Sequence, residues 1–170
     1  REQVEAALRA GKDVICEKPL VASVRDVDEL AAIATETGRH VMPVFQYRFG
    51  NGLQKLKALV DAGLTGRAYV VNMDLAWQRG HDYYAVPWRG RWDTELGGVL
   101  LTHAIHALDM TVHVLGPPKS VWARVETLVN DIETEDSAAV TLHWANGTLA
   151  TLSATLGSVA EISRHRFTFE

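Results

Sequence analysis

The chain has 170 residues, 47% hydrophobic and 22% charged, with a formal charge of −4 at pH 7. That is enough apolar material for one domain, or for one domain and part of another, and the slight negative charge gives no electrostatic reason to expect a nucleic acid or an anionic membrane as partner. No apolar run approaches the ~18 residues that span a bilayer and no signal peptide opens the chain; the single cysteine, Cys16, has no internal disulfide partner, which suits a reducing, cytoplasmic setting.

Taken in chain order, the apolar spacing predicts a helix from Gln3 to Ala10 and a short strand at Val14-Ile15-Cys16, closed by Glu17-Lys18-Pro19-Leu20. A helix followed by such a strand is the second half of a β–α–β crossover, so the chain reads as beginning inside a nucleotide-binding domain. Ser23 can cap the next helix, Asp26 can close its capping box, and Val27, Leu30, Ala31 and Ala34 form its apolar stripe up to Gly38. His40 to Phe45 reads as a second buried strand, with the polar Gln46, Tyr47 and Arg48 behind it. Two strands joined by one helix are expected to pair in parallel.

After Arg48 the pattern changes. A helix from about Leu53 to Ala62 leads into a long alternating strand, Ala68 to Trp77, and then into an irregular stretch, Arg79 to Trp92. A largely apolar helix runs from Gly98 to Leu115 and is stopped by Gly116-Pro117-Pro118. From there the period is two. Val121 to Val129, Ser137 to Trp144, Thr148 to Leu156 and Ile162 to Phe169 alternate like antiparallel strands, with Asn146-Gly147 as a hairpin turn. The expected fold class is α/β followed by α+β. Residues 1–48 form the carboxyl-terminal part of a Rossmann unit. Residues 49–170 form an α+β substrate-binding and oligomerisation unit, cut within its last strand, whose large, mainly antiparallel sheet carries helices on one face. Val121, Ala123, Val125, Leu142 and Trp144 exceed what one helix can cover, which predicts a homo-oligomer built through the sheet.

Three groups of residues are candidates for chemistry. Lys18, fixed by Pro19 at the carboxyl end of a strand, lies where open α/β sheets bind ligands and can hold a substrate hydroxyl by a charge-assisted hydrogen bond. On the apolar helix the spacing places Thr102, His106, Asp109 and His113 along one stripe, beside an apolar stripe of Leu101, Ile105, Leu108 and Val112 expected to meet the sheet. A histidine there suits general acid/base work, although a core histidine bonded to backbone satisfies the same pattern. Trp88-Arg89-Gly90-Arg91-Trp92 mixes arginine with tryptophan, a combination that binds anions and stacks on planar or sugar rings, or simply packs a surface loop.

Together these segments resemble the glucose–fructose oxidoreductase, inositol dehydrogenase and MocA (Gfo/Idh/MocA) family. Gly11 to Leu20 resembles its strand–Glu-Lys-Pro signature. Gly97-Gly98 with His106 and Asp109 resembles its second signature, Gly-Gly-Gly followed by Asp, then His four residues later, then Asp. Gln46-Tyr47-Arg48-Phe49 and Trp88-Arg89 are similar to further family features. The resemblance implies a Rossmann domain followed by an α+β domain, NAD or NADP as hydride carrier, and a sugar or cyclitol as substrate. It implies that Lys18 and His106 assist proton transfer, with Thr102 at the position of the acidic residue of the signature. It further implies that Glu17, Lys18 and Pro19 line the nicotinamide side, that Arg89 contacts cofactor or substrate, and that Arg48, Trp88, His103 and His106 face the substrate. The departures are Thr102 for the acidic residue and Val99 for the third glycine; His106 then acts alone or with support from His103. The chain contains no glycine-rich pyrophosphate loop, so alone it is expected to bind dinucleotide poorly and to be inactive. Two other readings compete with the oxidoreductase. One is a metal-dependent hydrolase using His106, Asp109 and His113 as ligands; the other is a non-catalytic sheet-pairing or ligand-sensing domain of the same fold.

Overall fold

Capping chemistry sets the first boundaries in the computed structural model, which describes residues 1–170. The Ser23 hydroxyl accepts the Asp26 N–H at 3.1 Å and donates to the Asp26 carboxylate at 2.6 Å. It opens helix α2 (Val24–Thr37), which ends at Gly38. Helix α1 (Glu2–Arg9) precedes strand β1 (Val14–Cys16), and α2 precedes strand β2 (Val41–Pro43). The strands pair in parallel, Val14 opposite Val41 and Cys16 opposite Pro43. Val4 and Leu8 of α1 meet Leu30 and Ile33 of α2 in a small core, with Val14, Cys16 and Val41 packed against it. Cys16 is thus a small core side chain. The chain divides here into two compact units, Arg1–Gln46 and Tyr47–Glu170.

A short 3-10 turn at Gln46–Phe49 leads to helix α3 (Asn51–Asp61) and strand β3 (Ala68–Gln78). One turn of helix, α4 (His81–Tyr84), precedes a wide π turn (Leu100–Ala104) that runs directly into helix α5 (Ile105–Leu115). Strands β4 (Ser120–Glu126), β5 (Ser137–His143), β6 (Leu149–Thr155) and β7 (Gly157–Phe169) complete the unit. They form a five-stranded sheet with β3, in the order β4-β5-β6-β3-β7. The sheet is mostly antiparallel, but β3 lies parallel to β6, with Met73 opposite Leu152. Alternation in sequence is the same for both directions, so this exception to the antiparallel expectation comes from the connection, which carries helices rather than a hairpin.

The period of two is visible in the burial. Val71, Met73 and Leu75 of β3, Val140 and Leu142 of β5, and Ala150 and Leu152 of β6 form one apolar face. Each of the larger of these side chains is worth about 1.5–3 kcal/mol relative to exposure. The helix covers that face through Leu100, Ala104, Ala107, Leu108 and Leu115; of the predicted stripe of Leu101, Ile105, Leu108 and Val112, only Leu108 takes part. The π turn accounts for the difference: one extra residue in a turn rotates all later positions by about 100° relative to a regular helix.

The apolar residues expected to drive oligomerisation do not share one open face. Leu142 and Trp144 belong to the helix-covered core, while Val121 and Val125 lie exposed on the edge strand β4. The face away from the helices instead carries a row across all five strands, Trp122, Thr141, Thr151, Asn72 and Arg166. Asn72 donates to the Thr151 hydroxyl at 3.1 Å and accepts from Arg166 at 2.8 Å. That face is largely polar.

One buried carboxylate organises the turn after β4. Asp136 accepts the N–H groups of Leu128, Val129 and Asn130 at 2.7–2.9 Å and the Ser137 hydroxyl at 3.0 Å. Burial alone raises a carboxyl's pKa; these bonds outweigh it and hold Asp136 below the ordinary carboxylate value. Asp136→Ala leaves three backbone donors without their acceptor and is expected to lower the unfolding free energy by about 3 kcal/mol. Urea unfolding of wild type and variant at pH 7 measures it.

Candidate active site

The site is built around the start of the π turn. A Cβ on Gly98 would lie 1.7 Å from the Glu135 carbonyl oxygen, so only glycine allows this approach. Buried Glu135 then satisfies three successive backbone donors. Its carboxylate accepts the Gly98 N–H at 2.9 Å and the Leu100 N–H at 3.1 Å, and its carbonyl accepts the Val99 N–H at 2.9 Å. These are the donors that a helix start leaves without an internal partner, and a negative charge is favourable there. The adjacent buried Glu95 does similar work for the Trp88-Arg89 loop, accepting the Gly90 N–H at 2.6 Å. Gly90 itself has φ +71°, where a side chain would be strained and would strike Ile132.

From this anchor the helix presents two buried histidines. The Thr102 hydroxyl lies 2.6 Å from the Gly98 carbonyl and 2.7 Å from His103 Nδ1. Donating to the carbonyl, the hydroxyl keeps a lone pair with which it can accept from His103 Nδ1. The hydroxyl of Thr102 thus supports His103. The His103 ring meets Trp77 edge-on at 5.2 Å, and Trp77 is fixed by its indole N–H to the Ser163 hydroxyl at 2.9 Å. His106, one turn on, packs against Tyr47 at 4.9 Å between ring centres. Both histidines line a cavity of about 340 Å³, together with Tyr47, Trp77, Met110 and His165.

Other residues marked in the sequence fall in different places. Arg48 grips Asp109 through two parallel N–H···O bonds, Nε to Oδ2 at 2.8 Å, and the carboxylate raises the guanidinium's pKa further. Their pairing ties the 3-10 turn to α5. Arg89 stacks on the rings of Tyr83 and Trp88, and the Trp88 indole is half-exposed. Glu17, Lys18 and Pro19 come after β1 in the first unit, with Lys18 half-buried and the Lys18–Pro19 bond cis. His113 sits in the last turn of α5. No group of three His, Cys, Asp or Glu side chains is arranged to hold a metal. The metal reading of His106, Asp109 and His113 therefore gives way, Asp109 being held by Arg48. Sequence reasoning missed Tyr47, Trp77, His165 and Glu135. Trp77 and His165 carry a signal in retrospect, as polar-capable rings at inward positions of β3 and β7; Glu135, on a loop, carries none.

Residues 53–169 match the GFO/IDH/MocA C-terminal domain, and residues 1–45 match the oxidoreductase family, NAD-binding Rossmann fold. Together the two matches are those of a two-domain family of oxidoreductases. The chain belongs to the GFO/IDH/MocA family. It is 30% identical over 159 residues to myo-inositol 2-dehydrogenase of Thermotoga maritima, covering 89% of this chain and 45% of that protein. It is 29% identical over 146 residues to the scyllo-inositol 2-dehydrogenase (NADP(+)) IolW of Bacillus subtilis, covering 84% and 39% respectively. The crystal structure of the WlbA dehydrogenase from Bordetella pertussis, in complex with NADH and UDP-GlcNAcA, superposes with a TM-score of 0.92 at 30% identity over 99% of this chain and 49% of that one. The chain spans less than half the length of each of these relatives. No helix is long and apolar enough to cross a membrane.

His165 supplies a solution test of the cavity. It shares a hydrogen bond with the buried Thr111 hydroxyl at 2.9 Å and stacks on Phe167, and burial pushes its pKa down from 6.5 to about 4. As pH falls through 6.5 the unfolded chain binds a proton that the folded chain refuses until about 4, so stability is lost across that window. His165→Gln is expected to remove this slope. Its stability deficit at pH 7 should shrink at pH 4.5, as read from urea midpoints of the two proteins at both values.

Proposed function

We propose that the intact protein is an NAD(P)-dependent dehydrogenase or reductase acting on a hydroxyl or carbonyl carbon of a sugar, a sugar derivative or a cyclitol. The observation that carries this reading is the pair of buried histidines, His103 and His106, at one cavity of a GFO/IDH/MocA chain. The inositol dehydrogenases and the UDP-GlcNAcA-bound enzyme among its relatives support this substrate class.

The residues after β1 suit a nicotinamide dinucleotide, NAD or NADP. They lie past the carboxyl end of a parallel strand pair, where such sheets seat ligands, and include a half-buried lysine. Glu17, Lys18 and Pro19 would hold its nicotinamide side, and the dinucleotide, when bound, would supply or accept the hydride at the substrate carbon. The Lys18 ammonium donates to the reacting oxygen and stabilises the negative charge that develops there. His106 takes the hydroxyl proton in oxidation and returns it in reduction. Thr102 acts one step back, through His103, because a neutral hydroxyl offers no charge to an imidazolium. Arg48, Trp88 and His103 are assigned to the substrate side, Arg48 while braced on Asp109. The same proposal places the protein in the cytoplasm and has it self-associate through its antiparallel sheet, where Val121 and Val125 of the edge strand are exposed.

Single-turnover cofactor reduction by the full-length enzyme separates these roles. Lys18→Met is expected to slow hydride transfer far more than it weakens cofactor binding, since the charge it meets exists mainly in the transition state. His106→Ala should cost about 10²-fold or more. Thr102→Val should be milder, on the order of 1 kcal/mol or about fivefold. Near-normal rates in both the Lys18 and His106 variants would overturn the assignment.

A further inference from the structure

The cavity holds a third imidazole that the chemistry above does not use. His165 lies on β7 opposite Met73 of β3, and its ring is clamped on two sides. Its Nε2 is 2.9 Å from the hydroxyl of Thr111, a fully buried group that also lies 3.0 Å from the Ala107 carbonyl and 3.2 Å from the Met73 sulfur. The ring stacks on Phe167, with 4.7 Å between ring centres and 21° between planes. This clamp leaves the other nitrogen, Nδ1, with no hydrogen bond inside the protein, and the atom stays accessible. Because His165 lines the cavity, that is where Nδ1 finds a partner. A ring serving only to pack against Phe167 needs no second polar edge, and a half-buried polar atom without a partner is a cost. Burial also keeps the imidazole neutral, with its pKa pushed down to about 4. A neutral imidazole has one donor and one acceptor nitrogen, so Nδ1 offers the cavity whichever role Nε2 does not play toward Thr111. A hydroxyl suits either case, since it both donates and accepts. A carboxylate or phosphate gains no charge from such a ring.

We propose that His165, held by Thr111 and Phe167, binds a substrate hydroxyl on a carbon other than the reacting one, and so selects substrates that carry a second hydroxyl at that place. This rests on the dehydrogenase reading above and deepens it. His106 comes from α5 and is assigned the reacting hydroxyl; His165 comes from β7, another wall of the same cavity, and takes a different group. Thr111 is a positioning residue: it touches no substrate and acts by fixing the edge of the ring that faces away from the cavity. Discrimination follows from the unpaired case. A substrate lacking that hydroxyl leaves Nδ1 covered and unbonded, which a site built for a hydroxyl penalises strongly.

The test uses the full-length protein with three neutral polyols, myo-inositol, scyllo-inositol and glucose, and needs two readouts. In ¹⁵N NMR of the histidine rings at pH 7, at least one polyol is expected to move the Nδ1 resonance of His165 more than that of Nε2. In steady-state kinetics with that polyol, His165→Phe keeps the stack on Phe167 and leaves the Thr111 hydroxyl its Ala107 carbonyl. It should raise KM about tenfold or more while kcat changes less than about threefold and NADH affinity stays within about twofold. Thr111→Val should fall between wild type and His165→Phe. Among the single-deoxy analogues of the polyol, one should lose about tenfold or more in kcat/KM with wild type and lose little further with His165→Phe, the mark of a direct pair. No response of His165 to any of the three polyols, an unchanged KM in His165→Phe, or equal losses for every deoxy analogue in both proteins would each overturn the proposal. A polyol-dependent shift at His165 in a protein that transfers no hydride would end the dehydrogenase reading and leave this site standing; hydride transfer with His165 silent would do the reverse.

Discussion

The contact between Glu135 and the Gly98–Leu100 segment is the constraint on which the site depends. It is an interaction of backbone with backbone at one point and of backbone with a buried carboxylate at two others. A side chain at residue 98 is excluded by distance alone. Once this start is pinned, the π turn fixes the angular position of everything after it. Ala104, Ala107 and Leu108 then face the sheet, while His103 and His106 turn to the cavity. The cost of burying Glu135 as an ion is offset by the donors of a helix start, which need an acceptor in any case.

Polar groups in this unit divide between scaffold and chemistry. Asp136, Glu135 and Glu95 are buried acids, and each is engaged by backbone N–H groups. They hold loops and a helix start in place. Arg48 and Asp109 neutralise one another beside α5. The groups lining the cavity include the imidazoles of His103, His106 and His165, the rings of Tyr47 and Trp77, the Arg164 guanidinium and the Asp74 carboxylate. Scaffold charges are paired, and the chemistry is assigned to imidazole and cationic side chains.

Much of this was legible in the sequence, and the reasons for the rest are physical. Ser23 with Asp26 marked a helix start because capping is local. The alternation of Val71-Met73-Leu75 and of Val140-Leu142 marked strands and their buried face, and the Gly97-Gly98 and Glu-Lys-Pro segments marked the family. The direction of β3 against β6 was hidden because both directions have the same period. The π turn was hidden because nothing in the run Leu100 to Ala104 distinguishes it from a regular helix. The group that anchors its start, Glu135, lies 37 residues from Gly98 on a loop without a motif. Helical spacing puts Thr102 one turn from His106, but its hydroxyl is taken up locally by the Gly98 carbonyl and His103 Nδ1.

Amide hydrogen exchange in wild type and Glu135→Ala tests the anchor most directly. In wild type the Gly98, Val99 and Leu100 amides should exchange slowly, as protected groups of the folded unit. In the variant, Gly98 and Leu100 lose the carboxylate and should exchange at least about tenfold faster. Val99, bonded to the backbone carbonyl, should change less, and the β5 and β6 core amides should keep their order. Wild-type exchange rates at Gly98 and Leu100 in the variant would contradict the account, because the helix that carries His103 and His106 would then be held by something other than Glu135.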